Sequence, residues 1–322
     1  MSGSPLASRG RAAEAPRRAP LAANLRAGLA ELAQAMPTDL RTAQDVEAYR
    51  RAGAARTTTA PAVAERLGLA WRESDAVDGC PITVFSPRER GAARPAARVL
   101  FLHGGGMIAG CRFDGVDVLA RHAAALDLEV WTLEYPLAPE HRMPDMITTV
   151  LGVLTAMDDA DRADVPIILS GQSGGGGLAA ASALHARGRG IRVDAQLLVC
   201  PMLDRTDTAS ARQFGDSPAW SAVSHRTAWQ MVLAGTDLLP PGEREDLEGL
   251  PPTFLDVGAA ELFRDSVLAF AGRLAAAGVR AELHMHSGAF HGSDCVVEDA
   301  QVSKDAHAAR ASWLARVLRG EV

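Results

Sequence analysis

Hydrophobic and polar positions change their period repeatedly along this chain. LAANLRAGLAELAQAM (21–36) and AQDVEAYRRAGAA (43–55) carry apolar residues at helical spacing. Strand-like runs follow at LAWRES (69–74), PITVFSP (81–87), ARVLFLH (97–103), EVWTLEY (129–135), VPIILSG (165–171), VDAQLLVC (193–200), TFLDVGA (253–259) and RAELHMH (280–286). Several of these are short, continuous apolar runs, the pattern of central strands covered on both faces. Between and after them lie helical patterns at 115–126, 146–157, 177–188, 265–278 and 305–318. The alternation predicts an α/β fold, with a mostly parallel central sheet of about eight strands and helices on both faces. One stretch, 204–249, breaks the alternation and carries Trp220, Trp229 and Met231 between polar, Pro-rich flanks. It reads as a cap over a site on the sheet, or as a surface excursion packing its own tryptophans; the cap is preferred.

Composition narrows the class. With 48% hydrophobic and 22% charged residues the chain is globular rather than disordered. A net charge of −6 argues against a general attraction to nucleic acid. No apolar run approaches the roughly 20 residues that cross a bilayer, so no membrane partner is expected. Residues 1–20 are rich in Ala, Arg and Pro and lack an apolar core, which excludes a secretory signal. They read as a flexible tail ahead of a single domain spanning 21–322. Cys80, Cys111, Cys200 and Cys295 are scattered, with no C-x-x-C pair, as in a reduced cytoplasmic protein; one disulfide stays compatible with them. A homodimer is equally compatible with the sequence.

The candidate chemistry centres on ILSGQSGGGGLAAA (168–181), which holds two motifs at once. Gly171-Gln172-Ser173-Gly174-Gly175 is G-x-S-x-G, a turn that presents a nucleophilic serine. Gly174 through Gly176 to Ala179 is G-x-G-x-x-A, a turn that cradles a dinucleotide pyrophosphate. The rest of the chain chooses between them. Strand VLFLH ends in His103-Gly104-Gly105-Gly106, whose backbone N–H groups are free of side-chain obstruction and can converge on one oxygen. Such donors stabilise the charge developing on a carbonyl oxygen by about 3–4 kcal/mol each.

A serine nucleophile also needs a carboxylate and then a histidine, in that chain order, in loops at strand ends. His284 and His286 alternate along a strand, whereas His291 lies just past it in Gly-Ala-Phe-His-Gly, where a base belongs. For the acid, Asp256 falls within a strand and Asp265 starts a helix as a first-turn charge. Glu261 sits in the turn between them and is chosen. The dinucleotide reading gives HGGG and GAFHG no job, and its acidic residue would be Asp194 alone. Metal chemistry has no cluster with ligand spacing, and no cofactor is expected.

HGGG, YPLAPEH (135–141), GQSGG, ELFRDS (261–266) and GAFHG together resemble the hormone-sensitive-lipase-like group of bacterial esterases, which are α/β-hydrolases. The similarity spans roughly residues 69–320. It implies a serine carboxylesterase acting on a small-molecule ester, with Ser173, Glu261 and His291 as triad and the amides of Gly105, Gly106 and Gly174 as oxyanion hole. It further implies short- to medium-chain esters, a capped apolar acyl pocket, and a cap from residues 21–60 and 204–249. The YPLAPE motif would be structural. The chain departs from the group's pattern where Gln172 and Gly174 replace the Asp and Ala of G-D-S-A-G. Glu261 stands where Asp is usual, and Met107 where relatives often carry an aromatic. Two alternatives stay open: acyl transfer through the same triad, to an acceptor other than water or as a dedicated deacylation, and a non-catalytic binder on this scaffold. The plant gibberellin receptors are of the second kind but lack the histidine retained here.

Overall fold

Eight strands form one sheet in the computed structural model, which describes residues 17–91, 93–159 and 165–322. Residues 1–16 of the expected tail lie outside the described residues. The strands are β1 (Leu69–Val77), β2 (Cys80–Pro87), β3 (Ala97–Leu102), β4 (Leu128–Leu133), β5 (Ile167–Gln172), β6 (Ala195–Val199), β7 (Thr253–Gly258) and β8 (Ala281–His286). Their order is β1-β2-β4-β3-β5-β6-β7-β8, and only the β1–β2 and β2–β4 pairs are antiparallel. The chain is therefore an α/β protein with a mostly parallel sheet.

Before the sheet come α1 (Arg26–Ala35), α2 (Ala43–Ala54) and α3 (Ala60–Leu67). The Thr42 hydroxyl caps α2 and Asp45 reaches back to the Thr42 amide, a reciprocal pairing that satisfies two free donors. Next are α4 (Asp117–Ala120), α5 (Ala123–Leu126), α6 (Met143–Asp159) and α7 (Gly174–Arg189). Residues 204–249 contain α8 (Ala209–Gln213) and α9 (Ala222–Val232). The chain closes with α10 (Arg264–Ala276), α11 (Ser293–Val296) and α12 (Gln301–Leu318). The helix expected at 115–126 is thus two short ones. The His122 amide bonds back three residues to Leu119, and this tightened turn interrupts the four-residue ladder.

Every residue of β3, β4, β5, β6 and β7 is buried, because both faces of the sheet are covered. Along β3 the side chains alternate between two cores. Val99 and Phe101 pack with α3, α4 and α12, while Leu100 and Leu102 pack with α6, α7 and α9. Since β3, β5, β6, β7 and β8 run parallel, the loops leaving them gather at one edge of the sheet. No helix among the described residues is long and apolar enough to cross a membrane.

Candidate active site

The loops after β3, β5, β7 and β8 each bring one of the residues singled out in the sequence to that edge. Ser173 stands between β5 and α7 with φ 55° and ψ −119°, a left-handed turn that thrusts a non-glycine side chain out of the chain direction. Its backbone is held by neighbours: its N–H donates to the Val199 carbonyl, and its own carbonyl accepts from Gly177 and Met202. Its Oγ lies 2.8 Å from His291 Nε2. His291 Nδ1 lies 3.1 Å from Glu261 Oε1, and the Gly258 amide donates to Glu261 Oε2 at 3.1 Å. The line assigns one tautomer, with Nδ1–H donating to the carboxylate and Nε2 accepting from the serine hydroxyl. Glu261 is 1% exposed and Ser173 6%. The ring of Phe263 stands edge-on to the imidazole, 5.0 Å between centroids, and limits its rotation.

The two other carboxylates near β7 go elsewhere. Asp265, in the first turn of α10, accepts from the Ser210 amide at 2.8 Å and pairs with Arg264. Asp256 pairs with Arg310 at 2.6 Å inside the protein.

Opposite Ser173 lies the loop after β3. Gly105 has φ 96° and Gly106 φ 63°, a left-handed backbone that glycine adopts without strain. No carbonyl of a described residue accepts from either amide. A Cβ on Gly106 would fall 2.5 Å from the Trp220 ring. Gly174 opens α7, where a helical N–H has no intrahelical acceptor. A Cβ there would lie 2.7 Å from Gly106 N, Gly106 Cα and Met107 N. Glycine at 174 thus lets the start of α7 close on the loop after β3.

That loop is braced from below and from the side. The Tyr135 hydroxyl donates to the His103 carbonyl at 2.8 Å, and the two rings stack at 4.2 Å. Burial pushes the Tyr135 hydroxyl well above its ordinary range and the His103 imidazole down, so both stay neutral. The Ala138 amide donates to the Met107 carbonyl. The YPLAPEH segment therefore acts as the floor of the loop.

One residue here is absent from the sequence reading. Arg50, on α2, donates to the Ile108 carbonyl through Nε and to the Ala138 carbonyl through Nη2, both at 2.7 Å. It also forks onto Glu140 at 2.8 and 2.9 Å. A single guanidinium ties an N-terminal helix to the glycine loop and to its floor. An arginine on an amphipathic helix looks like a solvated charge, so only the spare Glu140 of the motif hinted at a partner.

Cys200, Glu261 and His291 form the one group among the described residues whose donor atoms are close enough for a metal. Burial, aided by the Glu261 charge, pushes the Cys200 thiol well above its ordinary range. It packs as a neutral thiol rather than as a thiolate ligand. Beside Gly104, Gly105 and Gln172 a cavity of about 450 Å³ opens, bounded also by Tyr49, Arg50 and Leu137.

Comparison with known proteins finds relatives of the chain in sequence and fold. A family described as alpha/beta hydrolase fold matches residues 99–294. The carboxylesterase NlhH of Mycobacterium tuberculosis is 30% identical over 272 residues, covering 78% of this chain and 83% of its own. The crystal structure of esterase LipW from Mycobacterium marinum superposes with a TM-score of 0.80 at 30% identity, covering 92% of this chain and 96% of that one. A bacterial heroin esterase gives a TM-score of 0.77 at 29% identity, with 93% and 98% covered.

Proposed function

Since the chain belongs to the alpha/beta hydrolase fold family and is a carboxylic ester hydrolase, we propose that it works as a serine esterase through an acyl-enzyme. The observation that carries this reading is the unbroken hydrogen-bonded line from Ser173 Oγ through His291 to Glu261, ending opposite the glycine amides. Ser173 Oγ attacks the ester carbonyl carbon as His291 Nε2 takes its proton. The carbonyl electron pair moves onto oxygen, where the amides of Gly105, Gly106 and Gly174 receive it, each contributing about 3–4 kcal/mol. Collapse of this intermediate breaks the bond to the alcohol oxygen, which leaves with the proton from His291. Water then repeats the sequence on the acyl-enzyme and frees the acid.

Glu261 holds Nδ1–H in place and stabilises the imidazolium without taking its proton. Its seclusion from water strengthens that interaction. The helices of residues 21–60 and 204–249 form the cap, with Trp220 lying on Gly106 and edge-on to Tyr49 at 6.4 Å. Short- to medium-chain esters are the expected substrates.

Intact-mass and peptide mass spectrometry after treatment with a fluorophosphonate tests the nucleophile. A single adduct on Ser173 is expected; a folded, homogeneous sample that carries none sinks the assignment. A p-nitrophenyl ester series then reads chain length, and a maximum at long chains overturns that part.

A further inference from the structure

Gln172, immediately before the nucleophile, carries chemistry that ester hydrolysis as such does not use. The cavity beside Gly104 and Gly105 is apolar along Met36, Ala54, Ala109 and Leu137, but its end around Gln172 is polar. The buried Gln172 amide nitrogen donates to Cys295 Sγ at 3.2 Å. The amide oxygen lies over Gly115, where a Cβ would fall 2.1 Å from Oε1. Gly115 also has φ +72°, a backbone that favours glycine, and the missing Cβ leaves room for the end of the glutamine side chain.

Asp114, joined to Gly115, supplies a second acceptor to the same end. Its Oδ1 takes the Thr57 hydroxyl at 3.0 Å and the Cys111 thiol at 3.6 Å, and its Oδ2 takes the Cys111 amide at 3.0 Å. Those donors are neutral, and a carboxylate offers about four lone-pair sites, so accepting capacity is left over. The guanidinium bordering the cavity does not fill it, because Arg50 is held by Glu140 and by the Ile108 and Ala138 carbonyls.

We propose that this end of the cavity receives a hydrogen-bond donor, a hydroxyl or a protonated amine, carried on the non-reacting part of the ester and accepted by Gln172 Oε1 and the Asp114 carboxylate. The inference rests on the serine-esterase reading, which makes the cavity beside Gly105 a substrate pocket. A wholly apolar ester would cover both acceptors without satisfying them, at a loss of about tenfold or more in rate.

The test uses pairs of esters of equal shape, followed by pH-stat on the full-length protein. They are 2-hydroxyethyl butyrate against propyl butyrate, 2-(dimethylamino)ethyl butyrate against 3-methylbutyl butyrate, and ethyl 6-hydroxyhexanoate against ethyl heptanoate. In at least one pair the polar member is expected to have the higher kcat/KM, by about tenfold. The responding pair identifies hydroxyl or ammonium, and alcohol or acyl side. Gln172→Leu is expected to bring that ratio towards one, and Asp114→Asn to lower an ammonium preference further than a hydroxyl one. Equal or slower turnover of the polar ester in all three pairs overturns the proposal, and the wild-type protein alone decides this if a variant fails to fold. A ratio unchanged in folded Gln172→Leu overturns it as well. Failure of the underlying reading looks different: no ester is turned over and no fluorophosphonate adduct forms, which removes both.

Discussion

Two buried polar clusters sit side by side in this protein, and a guanidinium stands in only one of them. In the first, Glu261 after β7 faces His291 after β8, and its other partner is the Gly258 amide. In the second, Asp256 on β7 faces His286 on β8, but Arg310 of α12 stands between their roles. Arg310 is 2% exposed and binds Asp256 at 2.6 Å and Asp294 of α11 at 2.5 Å, while His286 stands off at 3.8 Å. Burial pushes the Asp256 carboxyl up, yet the guanidinium brings it below its ordinary value. A carboxylate paired with a permanent cation does not depend on an imidazole for its counter-charge. A carboxylate without one makes the imidazole its only source of positive charge, which is the condition for stabilising a transient imidazolium. In the proposed mechanism the first cluster moves a proton, whereas the second ties α11 and α12 to β7.

Substitutions that exchange these characters break the comparison. Glu261→Gln is expected to lower kcat by about 10⁴-fold with little change in folding, as removal of the orienting charge does in such triads. Asp265→Asn is expected to leave kcat within about tenfold, and the reverse order in steady-state assays moves the acid to Asp265. In the second cluster, Arg310→Met strands two buried carboxylates and is expected to cost about 3–5 kcal/mol in denaturant unfolding. Stability equal to wild type in that variant removes the structural role assigned to the cluster. Arg50→Met tests the brace on the glycine loop. It is expected to lower kcat by about ten- to a hundredfold, with a smaller change in KM, because the loop that receives the oxyanion shifts while the Ser173–His291–Glu261 line stays.

The smallest effect separates both clusters from the histidines that only fill space. Burial pushes His225 down to about 4, and burial with the neighbouring His307 pushes His122 down to about 3. Both are neutral in the fold, while in the unfolded chain they take up protons as pH falls through about 6.5. The unfolded state therefore binds more protons below that point, and stability falls as the pH drops from about 6.5 towards 4 and 3. Between pH 6.5 and 5, above the carboxylate range, the slope is expected to be about 1.4 kcal/mol per unit for each histidine once it titrates fully. Replacing His225 with Phe should reduce that slope in chemical denaturation at several pH values; an unchanged slope assigns it to other groups.

The architecture was readable because its cause is local. Runs such as VLFL (99–102) and IIL (167–169) are apolar throughout, and the structure covers them on both faces. The residues Ser173, Glu261 and His291 could be chosen from order and position, since each stands in a loop where a strand pattern stops. The split of the 115–126 helix was not readable, because nothing in an Ala-rich helical pattern announces a tightened turn. Arg50 and Arg310 were missed for a different reason. Their partners lie 90 and 54 residues away in the chain, and on the amphipathic α2 Arg50 carries no mark of pairing. For Arg310 a signal did exist: it occupies the apolar face of α12, between Ala306 and the buried Trp313 and Leu314. A charge at a core position demands a buried partner.

Sequence by itself settled the α/β class, the strand-to-helix turn around Ser173 and the candidate residues at each strand end, because hydrophobic period and turn chemistry act over a few residues. The tertiary structure decided which carboxylate meets His291 and which meets an arginine, because that choice depends on distances between separate loops. It also decided why glycine stands at 174 and glutamine at 172. Position 174 is closed by the backbone of Gly106 and Met107, and Gln172 reaches into space left open by Gly115. Both departures in GQSGG meet a second loop, 57 to 68 residues upstream, and close packing between distant segments leaves no periodic trace in a chain.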